Sequence, residues 1–297
     1  MTQIDRAELR TLLFRYLFSF SWLVLLLLAV WSLDGHAQQS PSQSVVDYSQ
    51  WGGAYTQEDS DNFWRNTKLG YFGERTIIDE QNVIKIQAPS RAENDALVPV
   101  SLALSAPSSS EKIDKVYLIV DVNPIPMAGV FTISPDRSLE EIDTRVRVNG
   151  YTYVRAVAET SSGALYQDKQ WVKSRGSGCS APPNIDQEKH QKKLGKMRFR
   201  LDDTTDNSTL VQLMISHPNN TGMQKDQLTT MFIPQHFINE VEVWLGKEKL
   251  LHADTTFSIS ENPSFRFRLE KDELTELTAI AKDTRGNVFV HNHKTDQ

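Results

Sequence analysis

From residue 83 onward the chain alternates apolar and polar positions with a period of two, the spacing of half-buried β-strands. In "VIKIQAP" (83–89), Ile84 and Ile86 share one face, and in "LVPVSLALSAP" (97–107), Val98, Val100, Leu102 and Leu104 do the same. Pro99 lacks a backbone donor and so predicts an edge position. "KVYLIVDVNP" (115–124) is apolar on both faces and stops at Asn-Pro. "TRVRVNGYTYVRAVAE" (144–159) sets Val146 and Val148 against Arg145 and Arg147, and its Asn149-Gly150 pair is the strongest hairpin signal in the chain. "SSG" (161–163) predicts a second turn, into "ALYQDKQWVK" (164–173). A second β series follows in "MRFRL" (197–201), "LVQLMIS" (210–216), "INEVEVWLG" (238–246), "SFRFRLE" (264–270) and "ELTAIAKD" (276–283). There Phe265, Phe267 and Leu269 face inward, while Gly246-Lys247 and "DTRGN" (283–287) mark further hairpins. Short strands at regular spacing with turn signals between them predict an all-β protein of two sandwiches.

Between the two series the alternation breaks at a Gly- and Pro-containing stretch and the charged "NIDQEKHQKKLGK" (184–196), the natural domain boundary. The predicted organisation is a leader over 1–37, a polar segment with a short helix over 38–82, and a first β domain over 83–175. A linker over 176–196 then leads to a second β domain over 197–293. The stretch "YTQEDSDNFWRNTKLGYFG" (55–73), where aromatics mix with charges, is expected to form that short helix or a docking segment.

The 297 residues carry a formal net charge of −6 and show no sustained basic run, which excludes a nucleic-acid partner. Arg6, Arg10 and Arg15 precede the apolar "YLFSFSWLVLLLLAVWSL" (16–33), and small residues follow at Gly35 and Ala37. That order is a secretory signal with cleavage after Ala37. The run is also just long enough to span a bilayer at ~18 residues, so an uncleaved anchor is the alternative. Both readings export the rest of the chain, here to the periplasm.

The one cysteine, Cys179, lies in "WVKSRGSGCSAPP" (171–183), among glycines and serines instead of apolar neighbours. A thiol packs as a small hydrophobe, and this stretch offers little to pack against. The expectation is therefore an exposed thiol on a flexible arm, with Gly176 and Gly178 as the arm's glycines. In an oxidising compartment an unpaired thiol implies a mixed disulfide, a dimer or thiol chemistry; an inert cysteine is the plain alternative. A self-contained cysteine enzyme would need a base and oxyanion donors, and a mobile Gly-flanked thiol is a poor place for a preorganised site. His217, His236 and His252 lie far away in sequence. His217 and His236 are 19 positions apart without metal-motif spacing, so ordinary loop histidines, no metal and no cofactor are expected. Trp51, Trp64, Trp171 and Trp244 are expected to pack in the core or between domains.

Several unusual strings occur in a familiar order. "LVQLMISHPNNTGMQKD", "FIPQHFINEVEVWLGKEKLLHAD", "ISENPSFRFRLE" and "AKDTRGNVF" make residues 197–290 resemble SoxZ. "APSRAENDALVPVSLAL", "KVYLIVDVNPIPMAGVFTISP" and "TRVRVNGYTYVRAVAETSSGALY", followed by a Gly-Cys stretch, make the first half resemble SoxY. Together they resemble single-chain SoxYZ-like carriers associated with quinoprotein dehydrogenases. The resemblance implies an immunoglobulin-like fold for both halves. It also implies a non-catalytic sulfur carrier that holds its cargo, of the thiosulfate-derived class, covalently on Cys179. In SoxY that cysteine sits in a Gly-Gly-Cys-Gly-Gly chain end, of which Gly178 and Cys179 remain here, and the SoxZ-like half continues beyond it. The implied partners are exported redox enzymes, either sulfur-oxidation enzymes or a quinoprotein dehydrogenase system. The alternative from a different class is an assembly module for such a dehydrogenase, with Cys179 incidental.

Overall fold

The structure, a computed structural model, describes residues 54–183, 192–204, 207–271, 274 and 276–294. The leader predicted over 1–37 and Trp51 lie outside the described residues. One helix and fifteen strands are present among those described, so the all-β expectation holds. The helix, α1 (Gln57–Phe72), is followed by β1 (Ile77–Asp79), β2 (Ile84–Gln87), β3 (Val98–Leu104) and β4 (Ile113–Val120). Next come β5 (Met127–Ile133), β6 (Glu141–Val146), β7 (Thr152–Thr160) and β8 (Leu165–Val172). The second series is β9 (Met197–Asp203), β10 (Ser208–Ile215), β11 (Ile238–Leu245) and β12 (Glu248–Thr255). It ends with β13 (Ser264–Glu270), β14 (Leu277–Asp283) and β15 (Val288–His293). Among the described residues no helix is long and apolar enough to cross a membrane.

The strands form two sheets, and both run through the two halves of the chain. One has the order β1-β8-β7-β4-β5-β12-β11-β14-β15 and the other β2-β3-β6-β13-β10-β9. The seams are antiparallel pairings: Leu251 to Thr255 of β12 lie opposite Ile133 to Gly129 of β5, and Arg266 and Phe267 of β13 lie opposite Asp143 and Ile142 of β6. The halves are thus joined edge to edge, each covering strands that the other would leave unpaired. A single buried cluster reaches across, with Phe131 of β5 edge-on to Phe265 of β13 at a centroid distance of 6.0 Å.

The alternating positions face where the sequence places them. Val98, Val100, Leu102 and Leu104 are buried, as are Phe265, Phe267 and Leu269. Strand β4 is apolar on both faces because α1 covers the outer one: Ile119 packs with Trp64, Phe72, Val157 and Leu165. The helix starts at a capping box in which Thr56 Oγ1 accepts from the Asp59 amide at 3.1 Å and the Thr56 amide donates to Asp59 Oδ2 at 2.8 Å. A buried polar knot holds α1 down. Arg155 Nε donates to Asp121 Oδ2 at 2.8 Å, Ser60 Oγ donates to the same carboxylate at 2.8 Å, and Arg155 also pairs with Asp61. Burial pushes the Asp121 carboxyl up to about 6 despite the opposing charge of Arg155.

Two local expectations are corrected. Asn149-Gly150 does not close a hairpin, because β6 pairs with β3 and β13 in one sheet while β7 pairs with β4 and β8 in the other. The dipeptide instead carries the chain from sheet to sheet, and its asparagine is used inside the protein, as described below. Pro99 lies not on an edge strand but on β3, past the Ser101 position where β2 stops pairing. The hairpins predicted at 161–163, at Gly246 and at 283–287 are present, with Gly163, Gly246 and Gly286 at φ of 83°, 60° and 82°.

Candidate functional site

Cys179 is not exposed: it is 1% accessible and buried at the junction of the two halves. This overturns the sequence expectation of an outward-facing thiol, and the reason lies in the same small residues that suggested it. A Cβ on Gly178 would fall 2.4 Å from the carbonyl oxygens of both Asp95 and Val148, and 2.7 Å from the Val148 nitrogen. Gly178 therefore permits a close backbone packing that no side chain at this position would allow. Gly176, at φ of 94°, makes the turn that brings the chain in. Its amide donates to Ser174 Oγ at 3.1 Å, and the Arg175 amide donates to Asp95 Oδ2 at 3.0 Å.

Both halves hold the segment. From the first, Arg147 Nη1 donates to the Gly178 carbonyl at 3.2 Å, and Asn149 Oδ1 accepts from the Cys179 amide at 3.4 Å. Asn123 fixes these two residues: its Oδ1 accepts from the Asn149 amide at 3.0 Å, and its Nδ2 donates to the Arg147 carbonyl at 2.8 Å. From the second half, Thr221 Oγ1 donates to the Cys179 carbonyl at 2.6 Å and Gln224 Nε2 donates to the Ala181 carbonyl at 3.0 Å. A cleft of about 400 Å³ opens beside the segment, lined by Ser180, Pro182, Met223, Lys225, Asp226 and Thr230 among others. The loop that lines it also exposes Leu228, Met231 and Phe232.

Electrostatically the site is a thiol beside a buried cation. Burial pushes the Cys179 thiol up to about 12, and the Arg147 charge pulls the other way without offsetting it. Burial in turn opposes the charge on Arg147, while Cys179 and Glu261 support it. Arg147 is 1% accessible, and its Nε finds no partner among the described residues. A buried guanidinium with a spare donor is an arrangement suited to an anion.

Arg147 also reaches the histidines, because its Nη2 donates to the Asn219 carbonyl at 3.2 Å. Asn219 Oδ1 lies 2.9 Å from His217 Nδ1, and the His217 and His236 rings meet edge to face at a centroid distance of 4.5 Å. His236 Nε2 is 2.8 Å from Asp283 Oδ2. Burial and the neighbouring His236 push His217 down to about 4. His252 is elsewhere, on β12 beside Asp254 and Glu242.

Of the residues singled out in the sequence, the structure brings Gly176, Gly178 and Cys179 into one turn, with Gly178 and Cys179 buried and Gly176 half-buried, and joins His217 to His236. Arg147, Asn149, Thr221, Gln224 and Asp283 were not anticipated. Arg147 sits on what alternation marks as a polar face, and that face is covered only once the second half docks.

Two family models match the chain in tandem. The one described as sulfur oxidation protein SoxY matches residues 69–179, ending on Cys179, and the one described as sulphur oxidation protein SoxZ matches residues 197–294. No curated protein matches the sequence. Among solved structures, the superoxide reductase (neelaredoxin) from Ignicoccus hospitalis is similar at 15% identity and TM-score 0.27, covering 31% of this chain and 80% of its own. A variant of that protein gives 14% identity and TM-score 0.28 over 37% of this chain and 90% of its own. Likenesses of that size carry no conclusion about this chain. The tandem family matches do: this chain is a fused SoxY/SoxZ-like sulfur-oxidation protein, of families whose role is that of a carrier.

Proposed function

We propose that the protein is a periplasmic carrier that holds a sulfur intermediate covalently on Cys179 and presents it to exported redox enzymes. The observation that carries this reading is the position of the only thiol. It is the last residue of the SoxY match, and it is held by groups from both halves beside the buried cation Arg147. Oxidative loading would join the Cys179 sulfur to the terminal sulfur of a thiosulfate-class anion. One S–S bond forms, the thiol proton leaves to solvent, and two electrons pass to a partner redox enzyme.

The docked thiol is buried and protonated at neutral pH, so loading goes through a form in which residues 176–183 have swung out. In that form the thiol ionises near the ordinary value of ~8.5. The cleft beside Ser180 and Pro182 and the exposed Leu228, Met231 and Phe232 support a partner surface next to the point of exit. Export rests on the leader-like order of residues 1–37.

The test is the intact mass of protein recovered from cells given sulfur substrate, with and without reductant, followed by peptide mapping around Cys179. The carrier reading expects added mass in whole sulfur atoms or as a thiosulfonate, labile to reductant and absent in Cys179→Ser. A bare thiol under the same conditions would refute it. The burial of Cys179 favours one second reading, in which the cysteine is structural and the chain acts as an assembly module. That reading expects Cys179→Ser to support the partner's function unchanged.

A further inference from the structure

His217 follows β10, His236 precedes β11 and Asp283 ends β14, so three separate stretches converge on one buried point. The two Nε2 atoms are 3.3 Å apart, and Asp283 Oδ2 lies 2.8 Å from that of His236 and 3.5 Å from that of His217. A circle through the three atoms has a radius of about 1.9 Å. Zinc bonds imidazole nitrogen and carboxylate oxygen at ~2.0–2.1 Å. A single ion therefore reaches all three atoms from about 0.8 Å off their plane, close to the ~0.7 Å of a regular tetrahedron.

We infer that His217, His236 and Asp283 form a binding site for a divalent metal ion of the zinc class, with the fourth position open. The donor set, two imidazoles and a carboxylate, suits that class. The groups behind the ligands are in place as well. Asp283 Oδ1 accepts from the amides of Arg285 at 2.9 Å and Asn287 at 3.0 Å, and Oδ2 accepts from Asn287 Nδ2 at 2.8 Å. Asn219 Oδ1 lies 2.9 Å from His217 Nδ1 and the Asn219 amide donates to the same nitrogen at 3.1 Å, which holds the ring with Nε2 facing the common point. Without a metal, His236 Nε2 meets both Asp283 Oδ2 at 2.8 Å and His217 Nε2 at 3.3 Å. An ion serves all three contacts at once.

The site would fasten the two ends of the 217–236 loop to the end of β14, and that loop supplies Thr221 and Gln224 to the Cys179 segment. The half-exposed group Glu240, Glu242 and His252 is a weaker candidate, because Lys282 and Lys249 already engage its two glutamates.

The experiment uses the full chain carrying Cys179→Ser, so that the thiol binds no metal, stripped with a chelator and titrated with ZnCl₂ or CoCl₂. The expected result is one equivalent bound per chain, a tetrahedral Co²⁺ absorption spectrum and a rise in Tm. Asp283→Asn and His236→Gln should each weaken binding more than the ~10–100-fold typical of outer-shell changes, while Glu242→Gln leaves it unaltered. The stripped parent protein needs no ligand substitution to fold, so the stoichiometry stands on its own. Failure of that protein to take up either ion, or uptake that His236→Gln does not weaken, would overturn the assignment and leave a hydrogen-bonded cluster.

Discussion

Substituting Gly178 by alanine separates a docked thiol from a swinging one. On a free arm the added methyl changes almost nothing. In this fold it lands within 2.4 Å of two backbone carbonyl oxygens, of Asp95 and Val148, neither of which can move as a side-chain end could. Four hydrogen bonds hold the segment around it, from Arg147, Thr221 and Gln224 and to Asn149. At ~0.5–1.5 kcal/mol each they stabilise the docked form by about 2–6 kcal/mol. Overpacking typically costs ~1–3 kcal/mol, and a clash with backbone falls at the upper end. A cost of about 3 kcal/mol raises the open population ~100-fold. The assay is the rate at which a thiol reagent labels Cys179 under native conditions, which scales with the open population while reclosing is fast. Gly70→Ala, on the helix with nothing within 4 Å of the new methyl, is the control and should not alter the rate. A Gly178→Ala rate within threefold of the parent's would show that the docking described above does not limit access to the thiol.

Thr221→Val removes the donor to the Cys179 carbonyl and should speed labelling roughly 5–10-fold, at ~1–1.4 kcal/mol, with Thr221→Ser near the parent rate. The docked thiol ionises at about 12 and the released one near ~8.5, so above the lower value the open form sheds a proton that the docked form keeps. The open population, corrected for intrinsic thiol reactivity, should therefore rise about tenfold per pH unit above pH ~9; a flat profile would contradict the buried environment. Arg155→Met strands the Asp121 carboxylate in a buried position and should lower the unfolding free energy by about 3–5 kcal/mol in urea titration, with partial recovery in the double variant with Asp121→Asn. Cutting the chain within 184–191 should leave the two halves co-eluting by size-exclusion chromatography, because each closes the other's sheets; separation into two monomers would contradict the seams.

The local elements of this protein are legible in its sequence because they depend on neighbours in the chain. Period-two alternation marks the strands, Thr56 and Asp59 start the helix, and Gly163 and Gly286 turn hairpins where φ is positive. The lone thiol and the tandem family strings are legible for the same reason, since they are linear features. What only the tertiary structure decided is which surfaces meet. Alternation cannot say that β5 pairs with β12 and β6 with β13, because an edge strand and a seam strand carry the same pattern. It cannot say that the face bearing Arg147 will be covered, nor that Asn149-Gly150 will cross between sheets. Nor does spacing along the chain reveal that His217, His236 and Asp283 come within 3.5 Å of one another. The cysteine segment shows the difference most directly. Gly and Ser around Cys179 have little to bury on their own, yet their smallness lets two other pieces of backbone close over the thiol.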